Sequence, residues 1–140
     1  MYSVVLDTNV VIAALRSRRG ASFAILHRMG QGWVPLISAA LILEYEAVGK
    51  REAQLLGIPE STVEAIVHAF CFLGRETDVH FRLRPALPDP GDEFLLELAV
   101  AGRADAIVTQ NVRHFVGVER FGIPVMTPRE FLKTIEEEEL

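Results

Sequence analysis

The stretch Val4-Val5-Leu6-Asp7-Thr8-Asn9 decides how the rest of the chain is read. Three apolar residues, two of them β-branched, describe a short buried strand. The strand runs into an acid, a hydroxyl and an amide. In an open α/β sheet, ligands sit at the carboxyl ends of strands. A carboxylate there suits a cation or a reacting oxygen. Asp7 is therefore read as one wall of a metal site whose other walls arrive from far along the chain.

Outward from this strand, Val10 to Leu15 begin a helix that Asn9 is placed to cap. Arg16, Arg18 and Arg19 surround its end, where cations complement the helix dipole, and Gly20 breaks it. Ala21 to Met29 predicts a second helix, with Phe23, Leu26 and His27 inward. Trp33 to Ile37 is a second strand; Pro35 lacks a ladder donor and predicts a strand start or edge. Ser38 reads as the N-cap of a helix from Ala39 to about Leu56. Leu41, Ile42, Tyr45 and Val48 recur there at helical spacing. The next helix opens at Glu60 or Ser61 and runs to about Leu73. His68 has no second His or Cys at ligand spacing and is read as a surface residue. Cys71, inside Ala69-Phe70-Cys71-Phe72-Leu73, is expected to be a buried small hydrophobe. As the single cysteine it excludes an internal disulfide.

The alternation of Val79 and Phe81 with polar residues predicts a half-covered strand over Thr77 to Leu83. Pro85, Pro88 and Pro90 define a stiff loop. Asp89 before Pro90 predicts an N-cap followed by proline at the first helical position, which places Asp92 in the first turn. Leu95, Leu96, Ala99 and Val100 form the inward stripe of that helix, and Gly102 ends it. Ala104 to Thr109 is the next strand, with Gln110-Asn111 at its carboxyl end and a helical turn over Val112 to Phe115. Gly122 to Met126 is a last strand. Thr127-Pro128-Arg129-Glu130 opens the final helix with cap, proline and first-turn acid in sequence.

Short strands alternating with helices give βαβ units and a parallel sheet with helices on both faces. Asp7-Thr8-Asn9 and Thr109-Gln110-Asn111 then lie along one edge. The starts of helices that follow strands point at the same edge. Glu44 is about two turns into one such helix, and Asp92 is near the start of another. Two readings of Glu44 stand. It belongs to the buried side, where an unpartnered charge is expensive, or it reaches water beside Glu46. For Asp92 the alternative is dipole stabilisation at a helix N-terminus, worth about 0.3–1 kcal/mol. If the three acids converge, repulsion must be answered: two carboxylates about 4 Å apart repel by about 4 kcal/mol at an effective dielectric of about 20. Oxygen ligands without His or Cys select Mg²⁺ or Mn²⁺ over zinc, and such sites suit phosphodiester hydrolysis.

The 140 residues are expected to form a single domain, residues 1–140, with a real core. Half are hydrophobic and 24% are charged, which excludes a disordered chain. No apolar run approaches the roughly 20 residues needed to span a bilayer. The start has no basic segment and no long apolar run, so the chain is expected to be cytoplasmic. A net charge of −5 argues against binding nucleic acid over the whole surface but allows a local basic rim. Twelve of the fourteen basic residues are arginine, the side chain that forks onto phosphate; compositional bias explains this equally well.

These motifs together resemble a PIN-domain protein: Val5-Leu6-Asp7-Thr8-Asn9 at the start, Ser38 followed six residues later by Glu44, Asp92 opening Phe94-Leu95-Leu96-Glu97-Leu98-Ala99, and Val108-Thr109-Gln110-Asn111. The closest likeness is to the PIN toxins of prokaryotic toxin–antitoxin systems (VapC-like ribonucleases). The resemblance covers nearly the whole chain. It implies an α/β three-layer sandwich with a central parallel sheet of four or five strands flanked by helices. It implies a Mg²⁺- or Mn²⁺-dependent endoribonuclease that hydrolyses RNA phosphodiester bonds with a metal-activated water. It also implies a homodimer silenced by a cognate antitoxin. Asp7, Glu44 and Asp92 match the family's acidic positions, as catalytic residues and metal ligands. Thr8, Asn9 and Thr109 match positions that orient those acids or water. The family's fourth position is often Asp and here is Asn111, which weakens the anion cluster. Arg113, His114 and Arg16 are candidate contacts to the RNA backbone, against the default of solvent-facing charge.

Two other readings compete. A haloacid-dehalogenase-like phosphatase also carries an acid at the end of its first strand, but needs a second Asp where this chain has Asn9. A catalytically weak or inactive PIN-like module that binds RNA or protein is kept open by Asn111 and the acidic net charge. A dinucleotide site fails for lack of a glycine-rich turn after the first strand.

Overall fold

The computed structural model describes residues 1–80, 82–83, 87 and 90–138, with no account of the side chains of residues 90 and 91. Five strands join in one sheet in the order β3-β2-β1-β4-β5: β1 (Tyr2–Leu6), β2 (Trp33–Ile37), β3 (Arg75–Glu76), β4 (Ala106–Val108) and β5 (Val125–Met126). Every pairing is parallel. The central strand is β1, whose Val4, Val5 and Leu6 have no exposed surface. It is paired on one side at Val4↔Pro35 and on the other at Leu6↔Val108.

Helices α1 (Thr8–Arg16), α2 (Ala21–His27), α3 (Ala39–Leu56) and α4 (Glu60–Leu73) connect the strands on the β2 side, α5 (Pro90–Ala101) connects β3 to β4, and α6 (Pro128–Glu138) follows β5. The chain moves outward from β1 to β2 and β3, then crosses back to β4 and β5. Right-handed crossovers in opposite directions place their helices on opposite faces. The result is a three-layer sandwich with a switch point between β1 and β4, where such sheets form their ligand crevice. Among the described residues no helix is long and apolar enough to cross a membrane.

The caps of α3 and α6 follow the sequence, whereas α1 begins at Thr8 and is capped by Asp7 rather than by Asn9, which lies inside its first turn and donates its N–H to the cap. Ser38 accepts from the Leu41 N–H, and Gly57 closes α3 in the left-handed conformation that glycine tolerates. Thr127 and Glu130 form a reciprocal box at the start of α6. Trp33 is fully buried, donates from Nε1 to the Ile25 carbonyl at 3.0 Å, and stands edge-on to Phe131 of α6.

Several expectations are corrected. Strand β3 is only Arg75–Glu76, and Thr77 to His80 carry no strand. The chain leaves the sheet edge toward α5, where the Glu97 carboxylate accepts from the Leu83 N–H at 2.7 Å in place of a ladder carbonyl. Phe81, Pro85, Pro88 and the expected Asp89 cap lie outside the described residues. Pro35 is neither at a strand start nor on an edge strand. However, β3 joins β2 only at Leu36 and Ile37, so at Pro35 there is no outer ladder to interrupt. Helix α2 stops at His27; Ile25 and Met29 are buried, Phe23 and Leu26 half-buried, and His27 exposed. Cys71 is exposed rather than buried. The inward stripe of α4 is Val63, Val67 and Phe70, and Cys71 falls one step around the helix from it.

Candidate active site

Asp7 leaves β1 as the N-cap of α1, its side chain accepting from the Asn9 N–H. Its backbone N–H donates to the Val108 carbonyl at 2.9 Å, so the turn is held against the end of β4. Thr109, the next residue of that chain segment, is fully buried and donates from Oγ1 to Asp7 Oδ2 at 2.8 Å. The Asn9 amide lies between the two, 3.2 Å from Asp7 Oδ2 and 3.3 Å from Thr109 Oγ1. Thr109 N–H in turn donates to the Met126 carbonyl, and the Gln110 N–H to Asn9 Oδ1. The carboxyl ends of β1, β4 and β5 are thus laced together through the first acid.

Glu44 comes from α3. Thr8 Oγ1 donates a hydrogen bond to its carboxylate. The adjacent Tyr45 is fully buried, packs on Phe70, and donates from its hydroxyl to the Leu6 carbonyl at 2.5 Å. That bond pins α3 to the last residue of β1 and so sets Glu44 beside Thr8. Burial, reinforced by the charges of Asp7 and Glu44, holds the Tyr45 hydroxyl well above its usual range, so it stays a donor. Asp92 comes from the first turn of α5, and His114 Nδ1 lies 3.3 Å from its Oδ2.

All three acids line one cavity of about 690 Å³ at the switch point. Thr8, Asn9, Arg16 and Gln110 add polar groups, and Ile12, Ala13, Val48 and Leu95 an apolar wall. Burial raises the Asp7 carboxyl above the usual aspartate range; hydrogen bonds from Thr109 and from the Asn9 and Thr8 backbone, and the charge of His114, oppose that rise. Its charged form is therefore less favoured than that of an exposed aspartate, and a neighbouring cation would offset the difference. Three carboxylates, all hard oxygen donors, fit Mg²⁺ or Mn²⁺. Among the described residues, no three His, Cys, Asp or Glu side chains are already grouped to grip one ion. The side chains of Glu44 and Asp92 are engaged by Thr8 and His114 at the cavity wall. Ligating an ion would exchange these contacts for it.

A profile described as PIN domain matches residues 3–113. The chain belongs to the PIN-domain family. This PIN domain is also similar in fold to a chain in the crystal structure of VapBC2 from Rickettsia felis bound to a DNA fragment from their promoter. That match has a TM-score of 0.59 and 14% identity over 89% of this chain and 98% of the other. No curated protein matches it in sequence.

Against the sequence expectations, the PIN domain brings together Asp7, Glu44, Asp92, Thr8, Asn9 and Arg16 at the cavity, with Thr109 directly behind Asp7. Arg16 is already held by Glu52 at 2.6 Å. Asn111 does not line the cavity of the acids. It lines an adjoining one with Arg113 and His114, and its N–H donates to Thr109 Oγ1. Residue-by-residue reasoning missed Tyr45, Gln110 and the contact of His114 with Asp92. A tyrosine next to an acid on the inward stripe was the available sign for the first. Glu93 and Glu97 of α5 are also buried, unannounced by an inward stripe read from apolar residues alone.

Proposed function

We propose that this PIN domain is a cytoplasmic, metal-dependent endoribonuclease, the VapC-like toxin of a toxin–antitoxin pair. The observation that carries the reading is that Asp7, Glu44 and Asp92, from three separate elements, line one cavity at the sheet's switch point. Membership of the family supports it. Asp7, Glu44 and Asp92 are the residues that would hold Mg²⁺ or Mn²⁺. When bound, the ion supplies Lewis acidity for phosphodiester hydrolysis.

The chain's own residues do the rest. Thr109 and Asn9 fix the orientation of the Asp7 carboxylate, Thr8 that of Glu44, and His114 that of Asp92. Tyr45 keeps the acid-bearing stretch of α3 in register with β1. Ile12, Ala13, Val48 and Leu95 keep bulk water from the inner side of the acids. Arg16, Arg113 and His114 meet the RNA backbone at the rim. A cognate antitoxin is the proposed partner, since the Rickettsia felis structure is of a VapBC2 complex. The proposed assembly is a homodimer, for which the exposed apolar side chains Leu43, Leu55 and Phe72 are available.

The test is cleavage of labelled single-stranded RNA by the full chain with Mn²⁺. Asp7→Asn and Asp92→Asn should each lower the rate at least about 100-fold, beyond the roughly 10–100-fold that loss of a supporting partner costs. Equal cleavage by wild type and the double variant removes the ribonuclease assignment. A second reading, a binding module without turnover, is favoured by Asn111 standing off the acid cavity. It predicts RNA binding with no cleavage under any divalent cation.

A further inference from the structure

Three cavities meet at Gln110. The middle one holds the three acids. Among the described residues, no acid lines either of the two that flank it. On one side, Asn111, Arg113 and His114 line a cavity of about 390 Å³. On the other, between α2 and the start of α6, Ser17, Ser22, Thr127 and Arg129 line a cavity of about 300 Å³. Gln110 is fixed at the junction. Its N–H donates to Asn9 Oδ1 at 3.2 Å, and its side-chain amide donates to the buried Ser22 Oγ at 3.0 Å. Arg113 and Arg129 are both exposed. A chain with a net charge of −5 repels a polyanion over most of its surface. Two flanking cavities without an acid in their lining, each carrying an arginine, are where phosphates on either side of the acids can rest.

We propose that the Arg129 cavity is a second binding arm for single-stranded RNA, taking phosphates on the far side of the scissile bond from Arg113. The strand then enters past one arginine, crosses the acids beside Gln110, and leaves past the other. This rests on the ribonuclease reading above and extends it to a substrate continuous on both sides of the cut. The guanidinium of Arg129 offers a fork to a phosphate. The Ser17 and Thr127 hydroxyls can donate to phosphate or to a ribose 2′-OH.

Fluorescence anisotropy of a fluorescein-labelled single-stranded RNA of about 12 nucleotides, within the range of single-strand site sizes, tests the proposal. The full chain carries Asp7→Asn to keep the RNA intact, and binding is followed through a salt titration. Arg129→Gln and Arg113→Gln should each weaken binding by about three- to tenfold and reduce the slope of log affinity against log salt by about 0.7, the value for one phosphate contact on a single strand. Arg51→Gln, on the exposed side of α3, should change neither. If Arg113→Gln acts but Arg129→Gln behaves like Arg51→Gln, the second arm is overturned and the ribonuclease reading stands. If all three act alike, binding is diffuse and the arm is likewise overturned. If the parent chain binds no RNA, both readings fall together.

Discussion

At the scale of single residues, Asp7 shows how a proposed ligand position carries a cost to the fold. Its carboxyl is raised above the ordinary aspartate range because burial penalises the charge more than Thr109 and Asn9 relieve it. The folded chain therefore holds this proton to higher pH than the unfolded chain does. Stability contributed at Asp7 falls as pH rises from the unfolded value through the raised one, and the deficit persists above it. In cation-free buffer near neutral pH, Asp7→Asn should raise the melting temperature by about 2–5 °C, roughly what 1 kcal/mol gives in a domain of this size. The gain should vanish below the ordinary aspartate range. A variant melting at or below wild type at neutral pH contradicts this account. Asp7 was legible in the sequence because a strand ending in an acid is a local pattern. The partners of Tyr45 and Glu97 were not, because each is a backbone group, the Leu6 carbonyl and the Leu83 N–H, that no spacing of side chains encodes.

At the scale of elements, the placement of α3 matters most, because it carries both Glu44 and Tyr45. Its contact with α4 is set by Gly49, buried mid-helix, where a Cβ would stand 2.8 Å from Val63 Cγ1. Glycine costs a helix about 1 kcal/mol relative to alanine, so propensity argues against it here and close approach argues for it. Valine is stiff at χ1 and Val63 cannot swing aside freely. Gly49→Val should destabilise by about 1–3 kcal/mol, the usual range for overpacking, read from urea unfolding. It should also lower any RNA cleavage, since α3 moves with Glu44 on it. Unchanged stability would show that the two helices part without penalty. The elements themselves were readable where pattern and cap agreed, as at Ser38 and Gly57. They were misread where pattern stood alone. The alternation read over Thr77 to Leu83 made no strand at Thr77 to His80, where the chain leaves the sheet edge and Leu83 is drawn to α5, and an apolar run did not bury Cys71, because helical phase decides which of its members face inward.

At the scale of the whole molecule, the sheet order puts the switch point between β1 and β4 and thereby gathers acids that lie 85 residues apart in sequence. The proposed ion links that site to global stability, since a ligand that binds only the folded chain raises its melting temperature. Mn²⁺ at about 100 times its dissociation constant should add about 2.7 kcal/mol to wild type. It should add far less to an Asp7→Asn/Asp92→Asn double variant. Equal shifts in both would place the ion elsewhere. The alternation of strands and helices was enough to foresee the architecture. Side-chain positions within the cavity were not foreseeable, because they depend on contacts from residues such as His114 and Thr8 that arrive from other elements.

Trp33 gives all of these measurements a common reporter. It is the single tryptophan of the chain and lies at the amino end of β2, the opposite edge of the sheet from the acids. Sealed against Phe131, its indole will emit at short wavelength while the sheet and α6 remain packed, and will shift to the red when they part. Loading the acids at the far rim with metal should leave that optical signal unchanged, so ion occupancy and unfolding can be told apart in a single cuvette.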